Sequence, residues 1–471
     1  MSETLEFEKQ LEVTKTNIPG LLVFDLPVHG DSRGWFKENW QREKMMALGL
    51  PDLEPVQNNM SFNAEVGVTR GIHAEPWDKY ISVASGRIFG AWVDLREGDT
   101  FGQTFTDEID PSKAIFVPRG VGNAFQAIED NTAYSYLVND HWSPEAQSQY
   151  TFLNLGDPTV DIKWPIPLDH ALLSDKDKAH PLLTNVTPMK PKKIFVAGGN
   201  GQLGRALQAI LPDAEYVDRD TFDISDPAAY EGRSWRQYST FINAAAYTAV
   251  DIAETPEGRE QAWLANATAV QQLARIAIQN DVTLLHISSD YVFDGTNTPH
   301  TEDEAFSPLS VYGQTKAAGD IAAALVPRHY IVRTSWVVGN GKNFVSTMQN
   351  LAERDISPAV VNDQTGRLTF AQDLATGIKH LIDTRPEFGT YNLTNDGDVV
   401  SWADIAKLVY EKTGKSSDMV TGVSTAEYYS GKEGIAPRPL GSELLLDKIK
   451  ATGFMPRNWR TALQEYLKTT D

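Results

Sequence analysis

The sequence contains no cysteine. That excludes disulfides, thiol catalysis and cysteine-ligated zinc. Positive charge is also scarce: 42 Lys and Arg stand against 63 Asp and Glu, a formal net charge of -21. A nucleic-acid partner would need a basic face, so this balance argues against one. A nucleotide ligand remains open, because a few placed cations and helix ends can hold its phosphates. No apolar run approaches the roughly 20 residues of a membrane span. Residues 1–10 are polar and acidic with no apolar signal region, so a soluble cytoplasmic enzyme is expected. Core-forming residues are plentiful: 41% of the 471 residues are apolar, with 11 Trp, 16 Tyr and 19 Phe. That length and composition imply two or three packed domains.

The chain is organised around Lys193-Ile194-Phe195-Val196-Ala197-Gly198-Gly199-Asn200-Gly201-Gln202-Leu203-Gly204. Ile194 to Ala197 reads as a buried strand ending in a glycine-rich turn, and Arg205-Ala206-Leu207 opens a helix. Gly199, Gly201 and Gly204 fit G-x-G-x-x-G, and Gly198, Gly201 and Gly204 fit the extended spacing. One glycine makes the tight turn, one admits a pyrophosphate to the backbone, and one permits close helix–strand packing. Asp218 follows the next apolar segment at the distance expected for a carboxylate on an adenosine ribose. Such a fold normally starts a protein, so a separate domain precedes it.

That first segment shows short apolar or alternating runs separated by Gly, Pro and Asp. Among them are Leu21-Leu22-Val23-Phe24, Tyr80-Ile81-Ser82-Val83, Ala114-Ile115-Phe116-Val117 and Tyr134-Ser135-Tyr136-Leu137-Val138. The pattern predicts an all-β sandwich or barrel, with one helix at residues 42–48. Taken alone, His73 on a strand reads as a structural histidine and Tyr136 as a core aromatic. No H-x-H or second histidine lies near His73 at cupin-like spacing, so no metal is expected.

Four patterns carry chemistry here: Asp31-Ser32-Arg33-Gly34-Trp35-Phe36-Lys37-Glu38, Val56-Gln57-Asn58-Asn59, Arg70-Gly71-Ile72-His73 and Leu173-Ser174-Asp175-Lys176-Asp177. In order and spacing they resemble the dTDP-4-dehydrorhamnose 3,5-epimerases, cupin-like jelly rolls that work without a metal. The resemblance implies that His73 is a base for protons beside a ketone, oriented by Asp177. Lys79 would stabilise the enolate oxygen, and Tyr136 would return a proton from the opposite face. Arg33, Arg70 and Lys176 would meet the diphosphate. Glu38, Gln57 and Asn59 would meet the thymine and sugar edges, with Trp142 stacked on thymine. Asn123 stands where the family commonly has His, and Gln147 where it has Glu; both remain candidate substrate contacts.

Residues 181–193 carry three prolines, no strand or helix period and a basic end. They read as a semi-rigid connector, with the linker proper at 187–192 between domains 1–186 and 193–471. Beyond it, strand and helix patterns alternate as in a doubly wound parallel sheet. Tyr312 and Lys316, at i and i+4, share a helix face. The lysine's charge is expected to favour phenolate and bring the tyrosine down from about 10. Ser289, at the end of a fourth strand, can hydrogen-bond the same substrate oxygen. Behind a nucleotide fingerprint, these residues mark a short-chain dehydrogenase/reductase.

Asn243-Ala244-Ala245-Ala246-Tyr247-Thr248, Ser289-Asp290-Tyr291-Val292-Phe293-Asp294-Gly295, Arg333-Thr334-Ser335-Trp336-Val337 and Asn362-Asp363-Gln364 extend the match. With them the second half is similar to the dTDP-4-dehydrorhamnose reductases. The resemblance implies sugar contacts from Trp336 and Arg438. It implies cofactor contacts from Gly198, Gly201, Gln202, Leu203, Gly204, Asp218, Asp223, Ile224, Ala244, Ala245, Tyr247, Tyr312 and Lys316. Asp218 favours NADH and Arg219 suits the NADPH phosphate, so both remain open. Ala206 replaces an acidic residue that some relatives use for a magnesium-bridged dimer, so no metal is expected there.

The expected architecture is a cupin-like all-β jelly roll followed by a Rossmann-type α/β domain of the extended short-chain dehydrogenase/reductase kind. A small C-terminal region lies on its substrate side. The expected function is bifunctional: 3,5-epimerisation of a dTDP-4-dehydro-6-deoxy sugar, then reduction of its C4 ketone by NADPH or NADH. A homodimer through the jelly roll is expected. The alternative is a reductase whose jelly roll only binds or assembles.

Overall fold

The protein, described by a computed structural model over residues 5–469, divides into two compact units, Met1–Pro191 and Lys192–Asp471. In the first, two antiparallel sheets face each other. One runs in the order Glu12–Lys15, Leu22–Asp25, Lys113–Val117, Lys79–Ser85, Thr132–Val138, Gln57–Asn63. The other runs Thr151–Phe152, Thr69–Ala74, Val121–Ala127, Ile88–Asp94, Thr104–Ile109.

Strand periodicity decides which side chains meet. Ile115 and Val117 join Ile81, Val83, Trp92, Val121 and Phe125 in the core between the sheets. Their neighbours Ala114 and Phe116 point outward, under the helix Arg42–Ala47, with Tyr80 and Met45. A third cluster backs the second sheet and includes Ile72, Ala74, Leu183 and Met189.

The expected connector is therefore partly structured. Leu183–Asn185 forms a short 3-10 turn, and Met189 exchanges backbone hydrogen bonds with Leu95 and Glu97. Leu183, Val186 and Met189 on this proline-rich stretch find a sheet face to bury, and that holds the segment on the first unit.

The second unit is built on six parallel strands in the order Glu215–Val217, Lys193–Ala197, Tyr238–Asn243, Thr283–Ser289, His329–Thr334, Gly389–Asn392. Alternate residues of its central strands feed opposite faces: Phe195 and Phe241 one cluster, Val196 and Ile242 the other. Burial on both faces is what a doubly wound sheet requires. A further core, from Val338 to Leu467, packs Trp459, Tyr410 and Phe370. Among the described residues, no helix is long and apolar enough to cross a membrane.

Candidate active sites

In the jelly roll the key strand is Thr69–Ala74. Arg70 and His73 are three apart and would face opposite ways on a regular strand. Its register against Val121–Ala127 shifts, with Asn123 opposite His73 and Phe125 opposite Arg70. Two residues, Gly71 and Ile72, thus oppose the single Ala124, and the side chains of Arg70 and His73 reach the same cavity. Only glycine fits at the shift: Gly71 has φ +124°, and a Cβ there would sit 2.5 Å from that of Ala124.

Arg70 and His73 line a cavity of about 830 Å³ with Gln147, Tyr150, Lys176 and Asp177. Asp177 lies on the short helix Asp175–Lys178, capped by Ser174. His73 Nε2 lies 2.9 Å from Asp177 Oδ1. Burial pushes Asp177 up, but the hydrogen bond and charge of His73, with the Ser174 hydroxyl, outweigh it and hold the carboxyl below its ordinary value. A carboxylate only accepts. His73 therefore donates from Nε2, and its Nδ1 keeps the basic lone pair.

Lys79 and Tyr136 come from the opposing sheet and do not line that cavity. Lys79 is buried, ion-paired with Glu75, and its Nζ sits 5.1 Å from the centre of the Tyr136 ring. Burial, then the Glu75 charge, pushes the Tyr136 hydroxyl up to about 12. The phenol is thus a proton donor at neutral pH. Asn123 donates to the Tyr134 hydroxyl at 3.0 Å, an interior tether rather than an exposed contact.

The other predicted contacts fall into two groups. Trp142 N donates to Gln57 Oε1 at 3.3 Å, and Gln57 donates to Asn59 at 2.8 Å, which brings these three together. Arg33 and Glu38 are not brought to the cavity. Arg33 extends from the exposed hairpin Val28–Asp31/Gly34–Lys37 and folds back on Asp31, while Glu38 pairs with Lys44. The hairpin forms a separate two-stranded sheet; Lys37 ties it to the Val83 and Pro111 carbonyls at 2.9 Å each, while Arg33 and Glu38 pair with nearby residues.

Sequence reasoning missed two residues in this unit. Glu75 is a buried carboxylate four positions before Lys79. His180 packs its ring 5.3 Å from that of His73, with Nε2 3.9 Å from Asp177 Oδ1. The second histidine absent from the neighbourhood of His73 in sequence is supplied from the far end of the domain.

In the second unit the glycine turn joins strand Lys193–Ala197 to helix Gln202–Ile210. A Cβ on Gly204 would run into the carbonyl oxygens of Gly198 and Gly199, and one on Gly198 would lie 2.7 Å from the Ala244 carbonyl carbon and the Ala245 nitrogen. The helix begins at Gly201 with no side-chain cap. Its first N–H groups therefore remain available to a phosphate, and the residues present fit a dinucleotide. Leu203 is buried, and Gln202 Oε1 accepts from Gly339 N at 2.6 Å. Asp218 accepts from Asn200 and from the 220–221 backbone. Asp223 accepts from Ser225 at 2.6 Å, whereas Ile224 belongs to the core.

Tyr312 and Lys316 lie on helix Val311–Ala323 and are both buried. The expected lowering of the tyrosine does not occur. Burial pushes Tyr312 up to about 12, against the lowering effect of a hydrogen bond with Ser289. Lys316 instead donates to the Ile287 carbonyl at 2.6 Å and approaches His286 Nε2 at 3.4 Å. Burial brings Lys316 down to about 8, against the raising effect of Asp320. Ser289 Oγ lies 3.0 Å from Asp290 Oδ1, and burial raises Asp290 to about 6.

Three further residues were not anticipated. Asn266, in a π-turn at Leu264–Thr268, hydrogen-bonds both backbone groups of Tyr247 and the Thr315 hydroxyl. It ties the loop after the third strand to the Tyr312 helix, and a polar residue amid a helical apolar pattern was its only signal. Trp402 stacks on Trp336 at 3.7 Å, and Trp336 holds φ +46°. Asp251 binds Arg438 Nη2 at 2.8 and 2.9 Å, fixing the predicted sugar contact.

Comparisons with known proteins divide the chain at the same place. Residues 192–471 match the family described as RmlD substrate binding domain, and residues 15–185 match dTDP-4-dehydrorhamnose 3,5-epimerase. A protein RmlC homolog of Streptococcus pyogenes is 52% identical over 200 residues, covering 41% of this chain and 100% of that protein. The dTDP-4-dehydrorhamnose reductase of Aggregatibacter actinomycetemcomitans is 35% identical over 292 residues, covering 58% and 97%. The crystal structure of the Bacillus anthracis dTDP-4-dehydrorhamnose reductase in complex with NADP superimposes with a TM-score of 0.53 at 30% identity, covering 59% and 99%.

Proposed function

The chain belongs to the RmlD substrate-binding-domain family through residues 192–471 and to the dTDP-4-dehydrorhamnose 3,5-epimerase family through residues 15–185, and from that premise we propose how its residues run two successive reactions. It is a bifunctional enzyme of dTDP-L-rhamnose synthesis, an isomerase joined to an oxidoreductase. The observation that carries this reading is the His73–Asp177 hydrogen bond at the cavity of the first unit, together with the buried Ser289, Tyr312 and Lys316 of the second.

In the first unit, His73 Nδ1 takes the proton at C3 or C5 of dTDP-4-dehydro-6-deoxy-D-glucose. The C–H pair becomes the enolate double bond, and the C4 oxygen takes the charge beside Lys79. Asp177 stabilises the imidazolium. The Tyr136 hydroxyl delivers a proton to the opposite face, which inverts the centre. Arg70 and Lys176 hold the diphosphate, Gln57, Asn59 and Trp142 the thymidine end, and Gln147 a sugar edge.

In the second unit, a nicotinamide cofactor supplies hydride when bound. The turn Gly198–Gly204 and the Gln202 helix start would hold its pyrophosphate, with Ala244, Ala245 and Tyr247 along its path. Tyr312 donates its proton to the C4 oxygen, Ser289 orients that oxygen, and Lys316 sets the local field. Trp336 and Arg438 position the sugar nucleotide. The Asp218 carboxylate is already engaged by Asn200 and the 220–221 loop, while Arg219 keeps most of its side chain exposed and makes a 3.5 Å pair with Asp223. That favours NADPH over NADH. Neither reaction needs a metal.

The oligomer is a homodimer through the jelly roll. Gln57–Asn63 is an edge strand whose outer face exposes Met60 and Phe62, an edge that a second copy would cover. A cytoplasmic location follows from the need for a reduced nicotinamide. The test is to supply the 4-dehydro-6-deoxy sugar nucleotide and NADPH to the purified chain. Formation of dTDP-L-rhamnose without added epimerase supports the reading, and product only when epimerase is added overturns it.

A further inference from the structure

His73, Asp177 and His180 each offer one ligating atom, and the three atoms lie within 4.8 Å of one another. Asp177 Oδ1 is 2.9 Å from His73 Nε2 and 3.9 Å from His180 Nε2. Zinc and its neighbours bind histidine and carboxylate at about 2.0–2.2 Å, which spaces tetrahedral ligands roughly 3.3 Å apart. Small side-chain shifts convert the present spacing into such a set. Phe152 packs against both imidazoles, stacking on His180 at 4.8 Å and meeting His73 edge-on at 5.5 Å. All three ligands line the cavity, so an ion has a path in and room for water at its remaining positions.

We propose that His73, Asp177 and His180 form an inhibitory binding site for a borderline divalent transition cation of the zinc or cobalt class. The donor set of two imidazole nitrogens and one carboxylate oxygen suits these ions and not calcium or magnesium. The consequence for the base follows from imidazole chemistry. With Nε2 donating to Asp177, the Nδ1 lone pair is free to take a proton. An ion that replaces the Nε2 proton uses the Nε2 lone pair, and that proton moves to Nδ1. The ring stays neutral overall, but no lone pair remains for the substrate C–H. Metal uptake and epimerisation are therefore mutually exclusive at His73. Uptake itself does not rest on the epimerase reading, because it is read directly.

The test uses the full chain. Calorimetric titration with ZnCl₂ in a non-chelating buffer gives one site per chain, and His180→Gln weakens it by at least about tenfold. His180→Cys restores a ligand in a chain that has no other cysteine, and it retains Zn²⁺ uptake; loss of local folding would abolish uptake in both variants. CoCl₂ gives a visible ligand-field band with the wild type and none with His180→Gln. Solvent-proton exchange into the keto sugar is inhibited by Zn²⁺ and restored by EDTA. The half-inhibiting dose rises at least about tenfold in His180→Gln, each protein being compared with its own metal-free rate. No stoichiometric uptake by wild type, or equal uptake by wild type and His180→Gln, overturns the proposal.

Discussion

His73 and Asp177, 104 positions apart in the chain, meet at 2.9 Å between Nε2 and Oδ1. The bond fixes which nitrogen is the base. Asp177→Asn removes the charge that stabilises the imidazolium and the acceptor that sets the tautomer. Deuterium uptake at C3 and C5 should fall by about 100-fold or more, with the keto sugar still bound. NMR of the sugar in heavy water measures it.

In the proposed epimerisation Tyr136 is the acid on the face opposite His73. Tyr136→Phe should leave proton abstraction, and hence exchange, largely intact while net inversion drops by about 100-fold. Equal loss of exchange and inversion would remove Tyr136 from the acid role.

Glu75 and Lys79 are a buried ion pair. Glu75→Gln leaves the ammonium without its partner in the interior, at a cost of about 3–5 kcal/mol. Thermal unfolding of the jelly roll should start at lower temperature. Because the Glu75 charge raises Tyr136, the same variant should also move the tyrosine's titration below about 12.

Several strands of both units could be read from the sequence: the apolar runs Ala114–Val117 and Ile194–Ala197 fall inside Lys113–Val117 and Lys193–Ala197, whereas which face each residue takes is set by the partner sheets. The glycine turn was equally plain, since its spacing is set by local sterics. What could not be read depends on long-range approach. Glu75 gains meaning only when Lys79 is buried beside it, His180 only when the end of the first unit returns to His73, and Trp402 only when it stacks on Trp336. Tyr312 shows the limit of spacing arguments. The i,i+4 pair lies on one helix as expected, yet burial outweighs the neighbouring charge, and Lys316 bonds to the Ile287 carbonyl.

Lys316 titrates at about 8. Its charged form is present below that value, so kcat/KM for reduction should fall as pH rises through about 8. Asp320 raises Lys316, so Asp320→Asn should move this limb to lower pH. A pH profile of NADPH oxidation with the epimerised sugar measures both.

Arg219→Ala should raise KM for NADPH by about tenfold and leave KM for NADH unchanged, if Arg219 takes the additional phosphate. Steady-state kinetics with the two cofactors decides it.

The most direct test of the two-reaction account is one incubation of dTDP-4-dehydro-6-deoxy-D-glucose with the chain in heavy water, followed by NADPH, for wild type and His73→Ala. The account predicts dTDP-L-rhamnose carrying deuterium at C3 and C5 from wild type, and neither exchange nor rhamnose from His73→Ala until a separate epimerase is added. Wild type that exchanges no protons, and forms product only with that added epimerase, would contradict it.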